Sequence, residues 1–593
     1  MPATPLLDTD VPTTEAVVRV LREAGVDTVF GLSGGDTGRI FSRLAHHVDG
    51  VRTVLVRNES HATSAAEAYA RVSGRLGVAM AQGSWLVGQG LVGILEAQAS
   101  GTPMLLLGDL TDGRPYSQHA PYQAGTADYG TWDAPAAFRS VTKRVFVATT
   151  PAEAVQSVQL GIKHALAGQP GPVAVLFSSA SLAGTVGPGS LPRLYATQAY
   201  LTRQPAPAPD VSELAQALAT ASAPVLLAGG GVRLARAEAV LREVAEATGA
   251  AVVTSPAGKG TFPEDHPGSG GVFGTFGSPV ANDALGRADL VLVLGSKLGP
   301  SDTAAESPGL IDPARQRIVH VDIEPLNAAW TMPTADVIVA DVAATLGALA
   351  DELAAHPVDT GIVTARQNAL AALRAEASTP GAEDAAAANG GSPVHPRRVI
   401  AELRAALPDD AVVCADAGEN RLLMSRYFES RSGGTYLQPA GAGGMGYSIP
   451  AAIGAKVFAP ERTVLAVCGD GGFSMSLPAL LTATEENAPI VVVVFDNGTL
   501  GWVRHSQRMR GEQEFNSNLR RFDYAGIAAA AGFAAFRAGK PDELPGALAD
   551  AVAAADRAEA PAIVVVDVST EQTFVDLRTP LMAAAAPAPA ARS

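Results

Sequence analysis

Val464-Leu465-Ala466-Val467-Cys468-Gly469-Asp470-Gly471 and, after a spacer of 24 residues (472–495), Asp496-Asn497-Gly498-Thr499 decide the fold of this chain. An apolar strand runs into the Gly-Asp-Gly, a second apolar run at 490–495 enters the Asp-Asn-Gly-Thr, and residues 476–486 between them read as a helix. This is a βαβ unit whose two strands end on the same edge of a parallel sheet. Open α/β sheets bind their ligands on that edge. There the Asp470 carboxylate, the Asn497 amide oxygen and the Thr499 main-chain carbonyl can converge. Three hard oxygen donors with little charge among them suit Mg²⁺ or Ca²⁺ that also holds phosphate oxygens. Gly469, Gly471 and Gly472 let the backbone come close to a diphosphate. A Gly-Asp-Gly alone marks no more than a tight turn in an ordinary βαβ unit; the spacer and the Asn-Gly-Thr add the cation site.

Strand-like runs alternate with helical patterns on both sides of this unit, as in a doubly wound parallel sheet. The 593 residues divide into three α/β blocks, 13–185, 210–355 and 395–570. Linkers are expected at 186–209, which holds the Pro-rich 204–209, and at the Ala/Gly-rich 376–394, with a disordered Ala/Pro-rich tail at 582–593. A hydrophobic content of 47% against 17% charged residues fits large buried cores. The net charge of −16 argues against nucleic acid or an anionic membrane as partner. Cys414 and Cys468 both sit in apolar strand patterns, as buried reduced thiols would. No signal peptide and no apolar run of the ~20 residues needed to span a bilayer is visible, so a cytoplasmic location is expected.

The Gly-Asp-Gly, the spacer and the Asn resemble the cofactor-binding motif of thiamin-diphosphate (ThDP) enzymes, with Asp496 standing where that motif has its first Asn. The layout over residues 13–570 is similar to the three-domain plan of the branch related to acetohydroxyacid (acetolactate) synthase: pyrimidine-binding, central and diphosphate-binding modules. The resemblance implies ThDP and Mg²⁺ as cofactors, with Asp470, Asn497 and Thr499 on the metal. It also implies a role for Glu59, at the junction of an apolar strand and the Ala-rich helix that continues to Arg71. A carboxyl group in such a place has a raised pKa and can donate to N1′ of the aminopyrimidine, which lets the cofactor's own amino group take the C2 proton. Alone, Glu59 reads as an acid favoured by the helix N-terminus.

Five loops complete the resemblance. In 440–456 a glycine-rich loop opens an Ala-rich helix; Met445 matches the wedge between the cofactor's rings and the Gly443 carbonyl matches the acceptor of its 4′-amino group. Glu419 and Asn420 fall in a loop similar to the one that contacts diphosphate. Gly35, His119, Gln123 and His505 lie in pocket-lining loops, the two histidines being candidates to relay protons. Two departures bear on substrate: Gly83-Ser84-Trp85 replaces a Gly-Pro-Gly, and Ser506 stands where the synthases place a Trp. In the central block, 228–231 and 320–325 resemble the framework of relatives that carry FAD, but the Arg-rich flavin signature is absent at 295–299; FAD is left open and not expected.

The implied protein is a homodimer or homotetramer with its active sites at the subunit interface. The implied reaction is decarboxylation of a pyruvate-like 2-oxo acid and transfer of the acyl unit to a carbonyl acceptor. The alternative is a decarboxylase that releases an aldehyde. A non-catalytic scaffold fits poorly with retention of Glu59, Asp470 and Asn497, and a nucleotide-binding oxidoreductase lacks a Gly-x-Gly-x-x-Gly after the first strand.

Overall fold

The computed structural model describes residues 4–47, 50–112, 123–201, 208–377, 391–557, 560–570, 574 and 576–577. Among them stand three six-stranded sheets, parallel throughout, each flanked by helices. In the N-terminal sheet the strands lie in the order Arg52–Leu55, Thr28–Gly31, Gly77–Met80, Met104–Asp109, Pro172–Phe177, Arg144–Ala148. The C-terminal sheet repeats that order with Tyr436–Leu437, Val412–Ala415, Val464–Gly469, Val491–Asp496, Ala562–Asp567, Ala534–Ala538. The central sheet differs: Ser269–Val272, Ala251–Thr254, Pro224–Ala228, Leu290–Leu294, Arg317–Asp322, Asp336–Val339. Its order is that of dinucleotide-binding folds. The inner strands are continuous Val/Ile/Leu runs because a parallel sheet is covered on both faces; Val491–Asp496 is buried along its whole length. Cys414 and Cys468 are free and buried in neighbouring strands.

Several local expectations are corrected. The helix expected at 476–486 already begins at the motif, as Asp470–Met475, and restarts as Leu477–Glu485 after a break at Ser476. Gly83-Ser84-Trp85 opens a short helix, Gly83–Gly88, and Gly501–Met509, expected through His505 as a pocket-lining loop, is helical. Residues 186–201 are not a free connection, since Thr185–Val186 pairs with Val11–Pro12 and Leu194 is buried in the N-terminal core. The tail at 582–593 lies outside the described residues. No described helix is long and apolar enough to cross a membrane.

The N- and C-terminal modules are joined through alanine-rich helices. Glu59–Ser73 starts at Asn58, whose side chain accepts from Ser60 N at 2.8 Å, and stops at Gly74 with φ of +70°. Ser448–Phe458 crosses it so closely that a Cβ on Gly454 would lie 2.2 Å from the Ala65 carbonyl oxygen. Below the crossing sits a buried polar cluster. Glu67 accepts from Thr102 Oγ1 at 2.9 Å and from the Tyr447 hydroxyl, while Arg71 donates to the Gln438 carbonyl at 3.0 Å. Burial acts to lower the Arg71 pKa, but Glu67, Tyr447 and Glu96 outweigh it and hold the guanidinium charged. Because the Ala65 oxygen is backbone and cannot swing away, Gly454→Ala should destabilise the protein by about 1–3 kcal/mol through overpacking. A melting temperature equal to the wild type's would refute this account of the helix crossing.

Candidate active site

In the C-terminal sheet the chain reverses direction of winding between the neighbouring strands Val412–Ala415 and Val464–Gly469. The loops leaving those strands part there and enclose a cavity of about 260 Å³. Gly469, Asp470, Gly471 and Gly472 form one wall, and Asn497 and Thr499 another. Gly443, Met445, Glu419 and Asn420 close it. The sheet edge thus brings these predicted residues together.

Asp470 is 2% exposed, and its two oxygens accept from Gly471 N at 2.9 Å and Gly498 N at 2.8 Å. Burial, followed by the neighbouring Asp496 carboxylate, raises its pKa to about 6, against the opposing pull of these amides and Arg521. A carboxylate so placed is short of positive charge, which a divalent cation would supply. Asn497 Oδ1 accepts from Thr499 N at 3.1 Å. The Thr499 hydroxyl is spent on the Ser517 carbonyl at 2.8 Å, so the main chain is what Thr499 has to offer a cation. Asp496 Oδ1 is buried without a hydrogen-bond partner, 3.7 Å from Arg521 Nε.

Gly443 adopts φ of +70°, in the left-handed region. The Met445 methyl would come within 3.2 Å of a Cβ on Gly471, and Leu500 within 2.7 Å, so a side chain at 471 would fill the cradle. Two buried acids that the sequence reading did not single out hold this loop from both ends. Asp416 accepts from Ala417 N at 2.8 Å, Gly446 N at 2.9 Å and Ser448 N and Oγ at 3.0 Å. Glu96, on the N-terminal helix Leu91–Ser100, accepts from Gly441 N at 3.1 Å and Ala442 N at 2.8 Å. Burial and the Glu67 charge push the Glu96 carboxyl above its ordinary range, while Arg71 and the two amides pull it down. The signal available in the sequence was slight: Glu96 is the one charged residue of its helix, and Asp416 ends an apolar strand.

Glu419 Oε1 takes Phe574 N at 3.0 Å and lies 2.6 Å from His505 Nδ1. His505 is 2% exposed, behind Glu419 rather than along the cavity wall, which corrects its placement as a pocket residue. Trp502, from the cavity wall, stacks on Phe574 at 4.3 Å between ring centroids.

The structure does not bring every predicted residue to this cavity. All of its lining falls within residues 396–570. Glu59, 5% exposed, Gly35 and Gln123 stand instead at the carboxyl edge of the N-terminal sheet. Gly35, with φ of +54°, would place a Cβ 2.2 Å from Asp109 Oδ2, and is a packing glycine of that edge. His119 lies outside the described residues. A second cavity, of about 430 Å³, opens at the winding reversal of the central sheet beside Gly230, Gly231 and Gly295. Among the described residues lining it, Lys297 is the one cation against Asp302, Asp322 and Asp341, a balance that gives a diphosphate-bearing flavin no added support.

Comparison with known proteins places these features in a family. Profiles described as thiamine pyrophosphate enzyme N-terminal TPP binding domain, central domain and C-terminal TPP binding domain match residues 12–127, 211–349 and 416–568. The chain is 32% identical over 546 residues to the acetolactate synthase large subunit of Corynebacterium glutamicum, covering 89% of this chain and 83% of that protein. It is 29% identical over 549 residues to a probable acetolactate synthase large subunit of Methanocaldococcus jannaschii, covering 91% and 89%. It is also 31% identical over 499 residues to a probable 2-ketoarginine decarboxylase of Pseudomonas aeruginosa, covering 83% of each.

The raised pKa of Asp470 gives a prediction with a definite sign. Such a group adds stability only while protonated, below its unfolded value, and that contribution is lost as pH rises through about 6. At pH 7.5 the cofactor-free Asp470→Asn protein should therefore melt no lower than wild type. ThDP with Mg²⁺ should raise the melting temperature of the wild type by mass action but not that of the variant. A variant stabilised as much as wild type by the pair would refute the assignment.

Proposed function

The chain belongs to the thiamine pyrophosphate enzyme family, and on that premise we propose that it is an acetolactate-synthase-like carboligase. It decarboxylates a pyruvate-like 2-oxo acid and transfers the acyl unit to a carbonyl acceptor. The observation that carries this reading is the division of the site. A cation-and-diphosphate cradle sits wholly within the C-terminal module, and a buried acid, Glu59, sits at the edge of the N-terminal module.

In this reading Asp470 and Asn497 hold Mg²⁺ by their side chains and Thr499 by its carbonyl, while Gly469, Gly471 and Gly472 make room for the diphosphate oxygens. Glu419 and Asn420, which line the same cavity, would border those oxygens. When bound, ThDP supplies a nucleophilic C2 and an electron sink for loss of CO₂. Glu59 holds a proton at N1′ of the pyrimidine. The Gly443 carbonyl would accept from the 4′-amino group, and Met445 would pack against the cofactor's rings and hold them in place for reaction. Asp416 and Glu96 fix the loop that carries both. Gln123 and His119 belong to the substrate side, where His119 is the candidate proton relay. The chain is cytoplasmic in this reading.

Because the cavity takes no residue from the N-terminal module, Glu59 meets the cradle of a second copy, and the working unit is a homodimer or a homotetramer built from such dimers. A second reading, a decarboxylase releasing an aldehyde, is favoured by the likeness to the probable 2-ketoarginine decarboxylase. Ser506, small where the synthases carry a Trp, favours a larger acceptor within the first reading.

Product analysis with pyruvate, with and without an added aldehyde or second 2-oxo acid, separates the two. A ligated hydroxyketone or hydroxy-oxo acid supports the first reading, and aldehyde alone under both conditions the second. Glu59→Gln should abolish turnover of every accepted substrate, and full turnover by that variant would sink the mechanism. Mixing inactive Glu59→Gln with inactive Asp470→Ala subunits under exchange should restore about one quarter of wild-type activity, because half of the dimers are then mixed and each carries one intact site. No recovery, with exchange demonstrated, would place the site within one chain.

A further inference from the structure

The departure at Gly83-Ser84-Trp85 is the start of a hydrogen-bond chain whose direction can be worked out donor by donor. It begins at Asp109, 1% exposed, at the end of the strand Met104–Asp109. Asp109 Oδ2 accepts from Asp36 N and from Thr37 N at 3.1 Å, and Oδ1 from Gly83 N at 3.3 Å and Thr111 Oγ1 at 3.0 Å. The three backbone N–H groups can only donate, and two of them reach Oδ2 and one Oδ1, so the carboxylate accepts on both oxygens and takes the Thr111 hydroxyl proton as its fourth hydrogen bond. The Thr111 hydroxyl has thereby given up its single proton. Its oxygen can only accept from Gln82, 3.1 Å away, which must present its NH₂ group there. The same Gln82 Nε2 lies 2.8 Å from Gln123 Oε1. Gln123 therefore turns its amide oxygen inward and keeps its NH₂ for the far side.

The main chain of Gln123 is pinned as well. Ser84 Oγ donates to its carbonyl at 2.8 Å and accepts from Trp132 Nε1 at 3.1 Å. Gln123 sits at φ of +89°, a conformation a non-glycine residue holds only when its surroundings enforce it.

We propose that Gln82 is a positioning residue that fixes the polarity of Gln123, so that the Gln123 amide offers N–H donors, and no acceptor, to an oxygen of the 2-oxo acid or of its carbonyl acceptor. This rests on the reading above, in which the edge carrying Glu59 and Gln123 closes over the cradle of a second copy. Oriented donors favour the oxygen on which negative charge grows during the reaction, and they need no reorganisation when it does. Ser84 and Trp132 hold the backbone; Asp109 and Thr111 hold the sense of the chain.

The test uses the full-length protein loaded with ThDP and Mg²⁺ and turning over pyruvate. Gln82→Ala removes the pin and is expected to lower kcat/KM about tenfold, the worth of one oriented hydrogen bond. Gln82→Glu keeps the size but can only accept, so Gln123 turns over and presents its oxygen; kcat/KM is expected to fall about a hundredfold, mainly in kcat. In a Gln123→Ala background both losses should vanish, since Gln82 acts through Gln123. Two readouts do not depend on turnover. Pyruvate binding to protein loaded with a C2-blocked, unreactive ThDP analogue, followed by calorimetry, should be weaker in Gln82→Glu than in Gln82→Ala, with affinity for the analogue unchanged. Gln82→Glu should also melt below Gln82→Ala, whereas a space-filling role predicts the reverse order. Gln82→Glu matching or exceeding Gln82→Ala in these comparisons, or losses that persist in the Gln123→Ala background, would overturn the proposal. Failure of the carboligase reading shows elsewhere, as a wild type that releases aldehyde alone or that binds ThDP and turns over no 2-oxo acid, and in the latter case the melting order decides the amide orientation by itself.

Discussion

The crossing of Glu59–Ser73 over Ser448–Phe458 is the contact on which the rest of the arrangement depends. With no Cβ at Gly454, the second helix settles against the Ala65 carbonyl, and the side chains around the crossing, Ala65, Ala68, Ala451 and Ala455 among them, are small and buried. Close approach of this kind gains dispersion contacts along two helices without side-chain entropy loss, because alanine has none to lose. It also fixes the orientation of two sheets. The edge bearing Glu59 and the edge bearing Asp470 are set by the same helix pair, and the cavity at the Asp470 edge takes no residue from the N-terminal module. The proposed dimer rests on that placement.

Beside that crossing the molecule tolerates an unusual number of buried charges. Glu67, Arg71, Glu96 and Asp416 are each less than 6% exposed. Desolvating them is costly, and none is there to hold the modules together more cheaply than an apolar contact would. Their hydrogen bonds say what they do instead. Glu96 and Asp416 end on the amides of the glycine-rich loop, whose backbone conformation no side-chain packing could specify. The acids convert a flexible loop into a fixed one, and the Arg71 charge keeps two carboxylates acceptable in one buried place. Asp470 is the contrasting case: its charge is left short of a partner by the protein itself, as expected of a group that waits for a cation.

Two of the three departures from the family pattern become intelligible as local electrostatics. Asp496 adds a second carboxylate beside Asp470, and Arg521, bridging at 2.6 Å to Asp567, stands close enough to offset it in part. At Gly83-Ser84-Trp85 the serine hydroxyl joins the Gln123 carbonyl to the Trp132 indole, so the substituted residue ties a strained position down rather than leaving it loose.

Much was legible in the residues alone. The Val/Ile/Leu runs ending in Gly-Asp-Gly and Asp-Asn-Gly-Thr specify strands buried on both faces and the edge at which they stop, because period, burial and turn chemistry are local properties. That was enough to bring Asp470, Asn497 and Thr499 to one edge, and to place Glu59 at a helix start. Sequence could not show which strands are neighbours across a module, that the central sheet is wound differently from its companions, or that His505 faces Glu419 and not the cavity. Nor could it show that Glu96, some 345 positions before the loop it holds, is a partner of Gly441. Such facts depend on contacts between residues far apart in the chain, and only the packing of helices and sheets decides those, since nothing in the local pattern of a charged residue says which distant amide will meet it.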